Sequence, residues 1–380
     1  MRIAFLSFDF GEYCVRLASA IVQAASSDED VELLLLLPES YIATNRQELN
    51  PHVALYPFTK PRIRQPFRQL RLVRNLHREI RRFAPDLVHY QHRHPWFNLS
   101  LPLLNRYPLV ITIHDPREHA GDNESRRMPQ VISDFGYHRA DRVIVHAEYL
   151  KQMTRDALDI PTEQIDVIPM IALGKESEDP VAEDGNLVLF FGRIWAYKGL
   201  EYLIRAEPLI TEQVPEARIV IAGEGEDFAR YRRMMRHPER FVVYNEYVSD
   251  ETRDELFQRA SVVVLPYVEA TQSAVIPVAY TFAKPVVATT VGGLPELVDD
   301  GRSGYLVPPR DEHAIADAVV RLLKDRDLRH RMGHDGRRML DAECAASVVA
   351  GRTLDVYRQA INESGVPRKD PRSARSSVRS

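Results

Sequence analysis

Apolar residues in this chain gather in short unbroken runs more often than in helical stripes. Runs such as 187–191 and 262–265 are too short for ordinary helices and lack polar alternation. That pattern suits strands covered on both faces, as in a parallel sheet. In the first half strand-like runs, two of them broken by the acids Glu32 and Asp166, recur at 3–6, 31–37, 87–90, 109–113, 143–146 and 165–168. In the second half they recur at 187–191, 218–222, 241–244, 262–265 and 286–289. Helical or irregular stretches separate most of them, which predicts an α/β protein with crossover helices.

Between the halves, 174–186 carries five acids, one proline and two glycines, and reads as a solvated linker. The expected organisation is therefore a doubly wound domain at 1–173, the linker, and a second such domain at 187–345. A helix follows at 346–363, then a disordered basic tail at 364–380. Open α/β sheets bind ligands beside the carboxyl ends of their strands. A ligand shared by two such domains would thus lie in the cleft between them.

The stretch from Leu187 to Leu200 is the richest in chemistry. A buried strand reaches a turn at Gly192, and Arg193 and Lys198 follow, five residues apart. A guanidinium fork and a point-charge ammonium at a strand end suit a diphosphate. Two solvated loop cations are the plainer alternative. Further blocks follow in order: Gly223-Glu224-Gly225, Val248-Ser-Asp-Glu251, Val262-Val-Val-Leu-Pro-Tyr267, Glu269-Ala-Thr-Gln-Ser273-Ala274-Val275, Ala283-Lys-Pro-Val-Val-Ala-Thr289, Gly292-Gly-Leu-Pro-Glu296 and Asp300-Gly-Arg-Ser-Gly-Tyr-Leu-Val307. In order and spacing they resemble the second half of family-4 glycosyltransferases, which are retaining enzymes of the GT-B fold. The likeness covers 187–345. The first half matches more loosely, through Pro85-Asp-Leu-Val-His89, Ile113-His114-Asp115 and Val143-Ile-Val-His-Ala-Glu148.

The resemblance implies two Rossmann-like domains facing each other across a cleft, with a nucleotide-diphosphate sugar as donor. It places Arg193 and Lys198 on the diphosphate, and His114 by the donor sugar and the acceptor. It also places Gly192, Gly223, Glu224, Ser273, Ala274, Val275 and Glu296 by the donor, and Gly11 and Glu12 by the acceptor. Ser273 to Val275 should open a helix whose free amides meet phosphate oxygens, although the family usually has a glycine-rich turn there; a plain helix start capped by Ser273 is the alternative. Glu296 has two readings, nucleotide contact or helix cap. Gly223-Glu224-Gly225 lacks the third glycine of a dinucleotide fingerprint, because Phe228 stands in its place.

The family's pair of glutamates would fall at Ala270 and Val278 here. Glu269, one position earlier, is the candidate for the first role, with an exposed loop acid as its alternative; no acid fills the second. The acceptor implied is a glycan, a lipid-linked sugar or a small-molecule glycoside.

Composition narrows the classes. A net charge of −4 gives no reason to expect nucleic-acid binding. Cys14 and Cys344 stand far apart, so neither a disulfide framework nor a zinc site is expected. No secretory segment opens the chain and no run is long enough to span a bilayer, so a cytoplasmic protein is expected. No metal or other cofactor is expected: Asp28-Glu29-Asp30 lies at the wrong end of a strand, and Asp325-Arg326-Asp327 in a polar helical region.

One local exception concerns 60–83, where nine Lys or Arg meet only Glu79 as an acid. Leu72, Val73, Leu76, Ile80 and Phe83 fall at helical spacing, leaving most arginines outward. A solvated helix face and a peripheral contact with anionic lipid at 68–83 both fit. Two functional rivals stand beside the transferase: a GT-B nucleotide-sugar epimerase, and a non-catalytic nucleotide-sugar-binding protein.

Overall fold

The unbroken apolar runs build two wholly parallel sheets. The structure is a computed structural model. It describes residues 1–25, 30–91, 94–117, 129–176, 181–225 and 228–364. Asp28, Glu29, part of the linker and the tail beyond Ser364 lie outside the described residues.

The first sheet contains β1 (Arg2–Ser7), β2 (Glu32–Pro38), β3 (Ala54–Phe58), β4 (Leu87–Gln91), β5 (Leu109–Thr112), β6 (Arg142–Val145) and β7 (Ile165–Val167). Its order is β3-β2-β1-β4-β5-β6-β7. The second contains β8 (Leu187–Phe191), β9 (Arg218–Ala222), β10 (Phe241–Tyr244), β11 (Val262–Leu265), β12 (Val286–Thr289) and β13 (Gly304–Val307), in the order β10-β9-β8-β11-β12-β13.

Burial on both faces explains the missing polar alternation. In β1, Ile3 and Phe5 enter one apolar cluster, and Ala4 and Leu6 enter the other. Leu33, Leu35 and Leu37 of β2 likewise part from Leu34 and Leu36. Two strands, β3 and β13, fall outside the runs singled out in the sequence. Both are edge strands, and β3 carries Pro57 and an exposed Ala54, which blurs the signal.

Helices α1 (Gly11–Ala24), α2 (Glu39–Asn45), α3 (Pro66–Phe83), α4 (Pro95–Asn98), α5 (Gln130–Tyr137) and α6 (Glu148–Leu158) accompany the first sheet. The second sheet carries α7 (Leu200–Gln213), α8 (Ala229–Met234), α9 (Asp250–Arg259), α10 (Val275–Thr281), α11 (Glu312–Lys324) and α12 (Arg326–Glu343). The last helix, α13 (Ala346–Glu363), returns to the first domain and joins the cluster around α1. Its Tyr357 hydroxyl lies 2.6 Å from His89 Nδ1.

In both sheets the strand order reverses beside the first strand, at β1/β4 and at β8/β11. Such reversals splay neighbouring loops apart and open a crevice at the carboxyl ends. The loops after β1, β5, β8, β11 and β12 carry most of the candidate residues.

Candidate functional site

Chain direction at Gly192 is set by φ +117, a conformation that side chains rarely adopt. The turn lies against the loop after β9, with the Gly192 amide donating to Ala222 O at 2.9 Å and the Ile194 amide to Glu224 O at 2.9 Å. A Cβ at Gly223 would stand 2.1 Å from Gly192 O, and one at Gly225 would stand 2.3 Å from Ile194 O. The G-x-G is thus a close-approach device that lets two loops zip together. Its central Glu224 is exposed.

Arg193 and Lys198 meet around two tyrosines. Arg193 Nη2 donates to the Tyr197 hydroxyl at 3.1 Å. Lys198 Nζ sits 3.8 Å from the Tyr267 ring centroid, a cation–π contact. Burial raises the Tyr267 hydroxyl above its ordinary pKa, and the Ser273 hydrogen bond and the Arg193 charge offset this only in part. It therefore stays neutral, 3.4 Å from Ser273 Oγ.

The amides of Val268 and Glu269 donate to Tyr197 O at 2.8 and 3.3 Å, which holds the Glu269 loop beside the cations. Gly199 completes the turn, because a Cβ there would lie 1.9 Å from Pro266 O. Arg193, Lys198, Glu269 and Ser273 thus share one end of the second sheet. Tyr197 and Tyr267, which join them, escaped the sequence reading. Tyr267's place at the carboxyl end of β11 was the available signal.

The helix start contributes less than the sequence suggests. Helix α10 is seven residues long, Pro277 has no N–H, and Ser273 Oγ already accepts the Val275 amide at 3.3 Å. Ala274 packs against the first-domain cluster. Gly192 faces this segment, its missing Cβ 3.8 Å from Val275 Cγ2. Most of the positive charge at this site therefore comes from Arg193 and Lys198.

The first domain touches this end closely. Thr271 Oγ1 donates to Asp115 Oδ1, next to His114. His114 is 7% exposed, lies against Phe10, and has its Nε2 3.1 Å from Gln91 Nε2. An amide N–H can only donate, so the imidazole accepts there.

Of the two readings of Glu296, the structure displays the cap. Its carboxylate accepts the amides of Glu148 and Tyr149, each at 2.7 Å, at the start of α6 in the opposite domain. Gly11 and Glu12 are both engaged structurally. A Cβ at Gly11 would lie 2.4 Å from Tyr41 Cβ, so this glycine serves the packing of α1 on α2. Glu12 is held by Arg253 at 2.7 Å, Arg16 at 3.2 Å and the Gly174 amide at 2.9 Å. These partners, spread over both domains and the linker, make Glu12 a bracket between domains.

Two buried histidines behind the cleft are held neutral. Burial, then the neighbouring His146, pushes His89 down to about 3. Burial pushes His146 down to about 4, although its bond to Ile168 O and the nearby Asp115 act the other way. Unfolded histidine titrates near ~6.5. Stability from this source is therefore complete above that value and declines as pH falls towards the folded values, by at most ~1.4 kcal/mol per pH unit for each ring. Urea unfolding followed from about pH 7 to about pH 5 should show this decline, and a flat profile would contradict it.

Among the described residues no group of three His, Cys, Asp or Glu side chains is placed to hold a metal ion. Asp325 caps α12 by accepting the Leu328 amide at 2.9 Å.

Comparison with known proteins matches residues 16–170 to Glycosyltransferase Family 4 and residues 185–325 to Glycosyl transferases group 1. The chain belongs to the group 1, family-4 glycosyltransferases. It is 28% identical over 272 residues to the alpha-D-kanosaminyltransferase of Streptomyces kanamyceticus, covering 66% of this chain and 70% of that protein. Its fold is similar to that of sucrose-phosphate synthase from Thermosynechococcus elongatus, with TM-score 0.72, 19% identity, and 96% and 100% of the two chains covered. It is also similar to Anabaena HepE in complex with UDP-glucose, with TM-score 0.69, 18% identity, and 94% and 100% covered. The two facing Rossmann-like domains are the GT-B arrangement.

As a family-4 glycosyltransferase, the chain departs most at Ala270 and Val278. Both are buried, at 4% exposure each. The Ala270 carbonyl packs where a Cβ on Gly292 would lie, 1.7 Å away.

Proposed function

We propose that this glycosyltransferase moves a sugar from a nucleotide-diphosphate donor to an acceptor hydroxyl, with retention of anomeric configuration and without a metal. The observation that carries the reading is the meeting of Arg193 and Lys198 around Tyr197 and Tyr267 at the carboxyl end of the second sheet. A relative in fold, HepE, is described in complex with UDP-glucose, and a relative in sequence is named for kanosaminyl transfer.

As the bond from the anomeric carbon to the phosphate oxygen breaks, the bonding pair stays with the nucleoside diphosphate and the sugar becomes cation-like. Fixed positive charge stabilises that separation more than it stabilises the bound donor. The acceptor oxygen bonds to the anomeric carbon on the face the phosphate leaves. Its proton passes to the departing phosphate oxygen. Glu269 would bind sugar hydroxyls, and His114 the face near the acceptor. The contacts between the two domains keep water from competing for the cation.

The test offers α-linked UDP-sugars with a panel of glycoside acceptors and follows the anomeric proton by NMR. The expected product keeps the α configuration, at a rate unchanged by a chelator. An inverted product, or a chelator-sensitive rate, would refute the corresponding part. A new sugar isomer formed from donor alone would point to an epimerase instead.

A further inference from the structure

The outward side of α3 is used by nothing described so far. Arg62, Arg64, Arg68, Arg71 and Arg74 are exposed and, among the described residues, form no ion pair. Glu79 is spent on Arg78 and Arg82, at 3.3 and 3.8 Å. A merely solvated helix usually interleaves acids at i,i+4, because like charges at that spacing repel. Here Arg68, Arg71, Arg74 and Arg78 follow one another at such spacings without an acid between them.

Apolar groups stand among these charges. Phe67 is 85% exposed and Leu70 55%, three residues apart in the first turns of α3. At the other end Arg81 Nη2 donates to Leu103 O at 3.3 Å, and Leu103 is itself 59% exposed. Basic side chains beside protruding apolar ones form an interfacial helix face, which attracts phosphate headgroups and buries its apolar groups beneath them. Phosphate on nucleic acid would satisfy the arginines and leave Phe67 and Leu70 in water.

The position of the face matters as much as its composition. Helix α3 runs from the carboxyl end of β3 to the amino end of β4, so its first turn lies at the cleft side of the sheet. Lys60, just before it, donates to the Asp9 carboxylate at 2.9 Å and to Phe8 O at 3.1 Å, in the loop after β1. Trp96 Nε1 donates to Ile63 O at 3.2 Å. The apolar pair thus stands at the rim of the first domain's half of the cleft. No helix among the described residues is long and apolar enough to cross a membrane.

We propose that this face docks the first domain on an anionic lipid surface and that the acceptor is held in that surface. The second part rests on the proposed sugar transfer; the first does not.

The experiment floats the full chain with phosphatidylcholine vesicles, with and without phosphatidylglycerol, at low and high salt. Binding is expected only to the anionic vesicles and should weaken as salt screens the charges. Combining Arg68→Gln, Arg71→Gln and Arg74→Gln should weaken it about a hundredfold, at roughly fivefold per arginine. Phe67→Ser with Leu70→Ser should leave a weaker, wholly salt-sensitive attachment. A thermal melt close to wild type in each variant shows that it folds.

Wild-type protein that stays off anionic vesicles at low salt overturns the docking, as does a triple variant that binds like wild type. A DNA duplex that strips the protein from vesicles at equal phosphate concentration assigns the face to nucleic acid and overturns it too. Vesicle binding without sugar transfer would keep the docking and sink the transferase reading. Transfer to soluble glycosides without vesicle binding would do the reverse.

Discussion

Replacing Arg193 or Lys198 with alanine should lower turnover by ~10²–10³ in each case, the usual cost of one positive donor aimed at developing charge. The effect should fall on kcat and on kcat/KM alike, because the lost interaction strengthens as the phosphate departs. Arg193 is exposed, and losing its bond to the buried Tyr197 hydroxyl should cost only about 1 kcal/mol of stability. Lys198 lies over the buried Tyr267 ring, and losing that cation–π contact costs only ~1 kcal/mol of stability. Thermal melts of both variants should therefore stay near wild type while turnover falls. Arg193→Lys keeps the charge but loses the planar fork, and should recover only part of the rate. If both cations address the same diphosphate, the double variant should lose less than the product of the two single effects. Wild-type turnover in both single variants would remove the electrostatic basis of the proposed reaction.

What the sequence made legible was local. The run Leu187 to Phe191 announces a strand buried on both faces, and the glycine and two cations after it need only the next few positions to be seen. Most of the other strands follow from runs of the same kind. The edge strand β3 was harder, because Pro57 and the exposed Ala54 interrupt its apolar signature.

Pairings between distant polar residues were not legible at all. Glu12 meets Arg253 across 241 positions, and Thr271 meets Asp115 across 156. Nothing in the periodicity of either segment encodes its partner. Glu296 shows the same limit. Its sequence allowed a helix cap, but did not show that the capped helix belongs to the other domain. Helix α10 is the contrary case: both its start and a Ser273 cap were legible, and Ser273 Oγ does accept the Val275 amide.

Arg253→Ala should be the most destabilising single substitution at the boundary between the domains. Arg253 is 8% exposed and donates to Glu12 at 2.7 Å, Asp250 at 2.9 Å and Asp254 at 2.7 Å. Alanine would leave three carboxylates facing one another with little water, and breaking a buried pair in this way costs ~3–5 kcal/mol. Burial already raises Asp250 and Asp254 above the ordinary carboxylate range even with the guanidinium present. Without it those groups should rise further. A carboxyl whose folded pKa exceeds its unfolded one gains stability as pH falls, so the deficit of the variant should shrink in mild acid. Urea unfolding of wild type and variant at neutral and mildly acidic pH checks both the size and the sign. Because Glu12 lies in α1 and Arg253 in α9, the same change should also weaken closure of the cleft. Small-angle scattering should then show a larger radius of gyration under conditions where the variant is still folded. Glu12→Gln, which keeps an oxygen for the Gly174 amide and removes one of the three charges, should be far milder on both measures. An Arg253→Ala protein that melts and scatters like wild type would show that this ion cluster does not hold the two domains together.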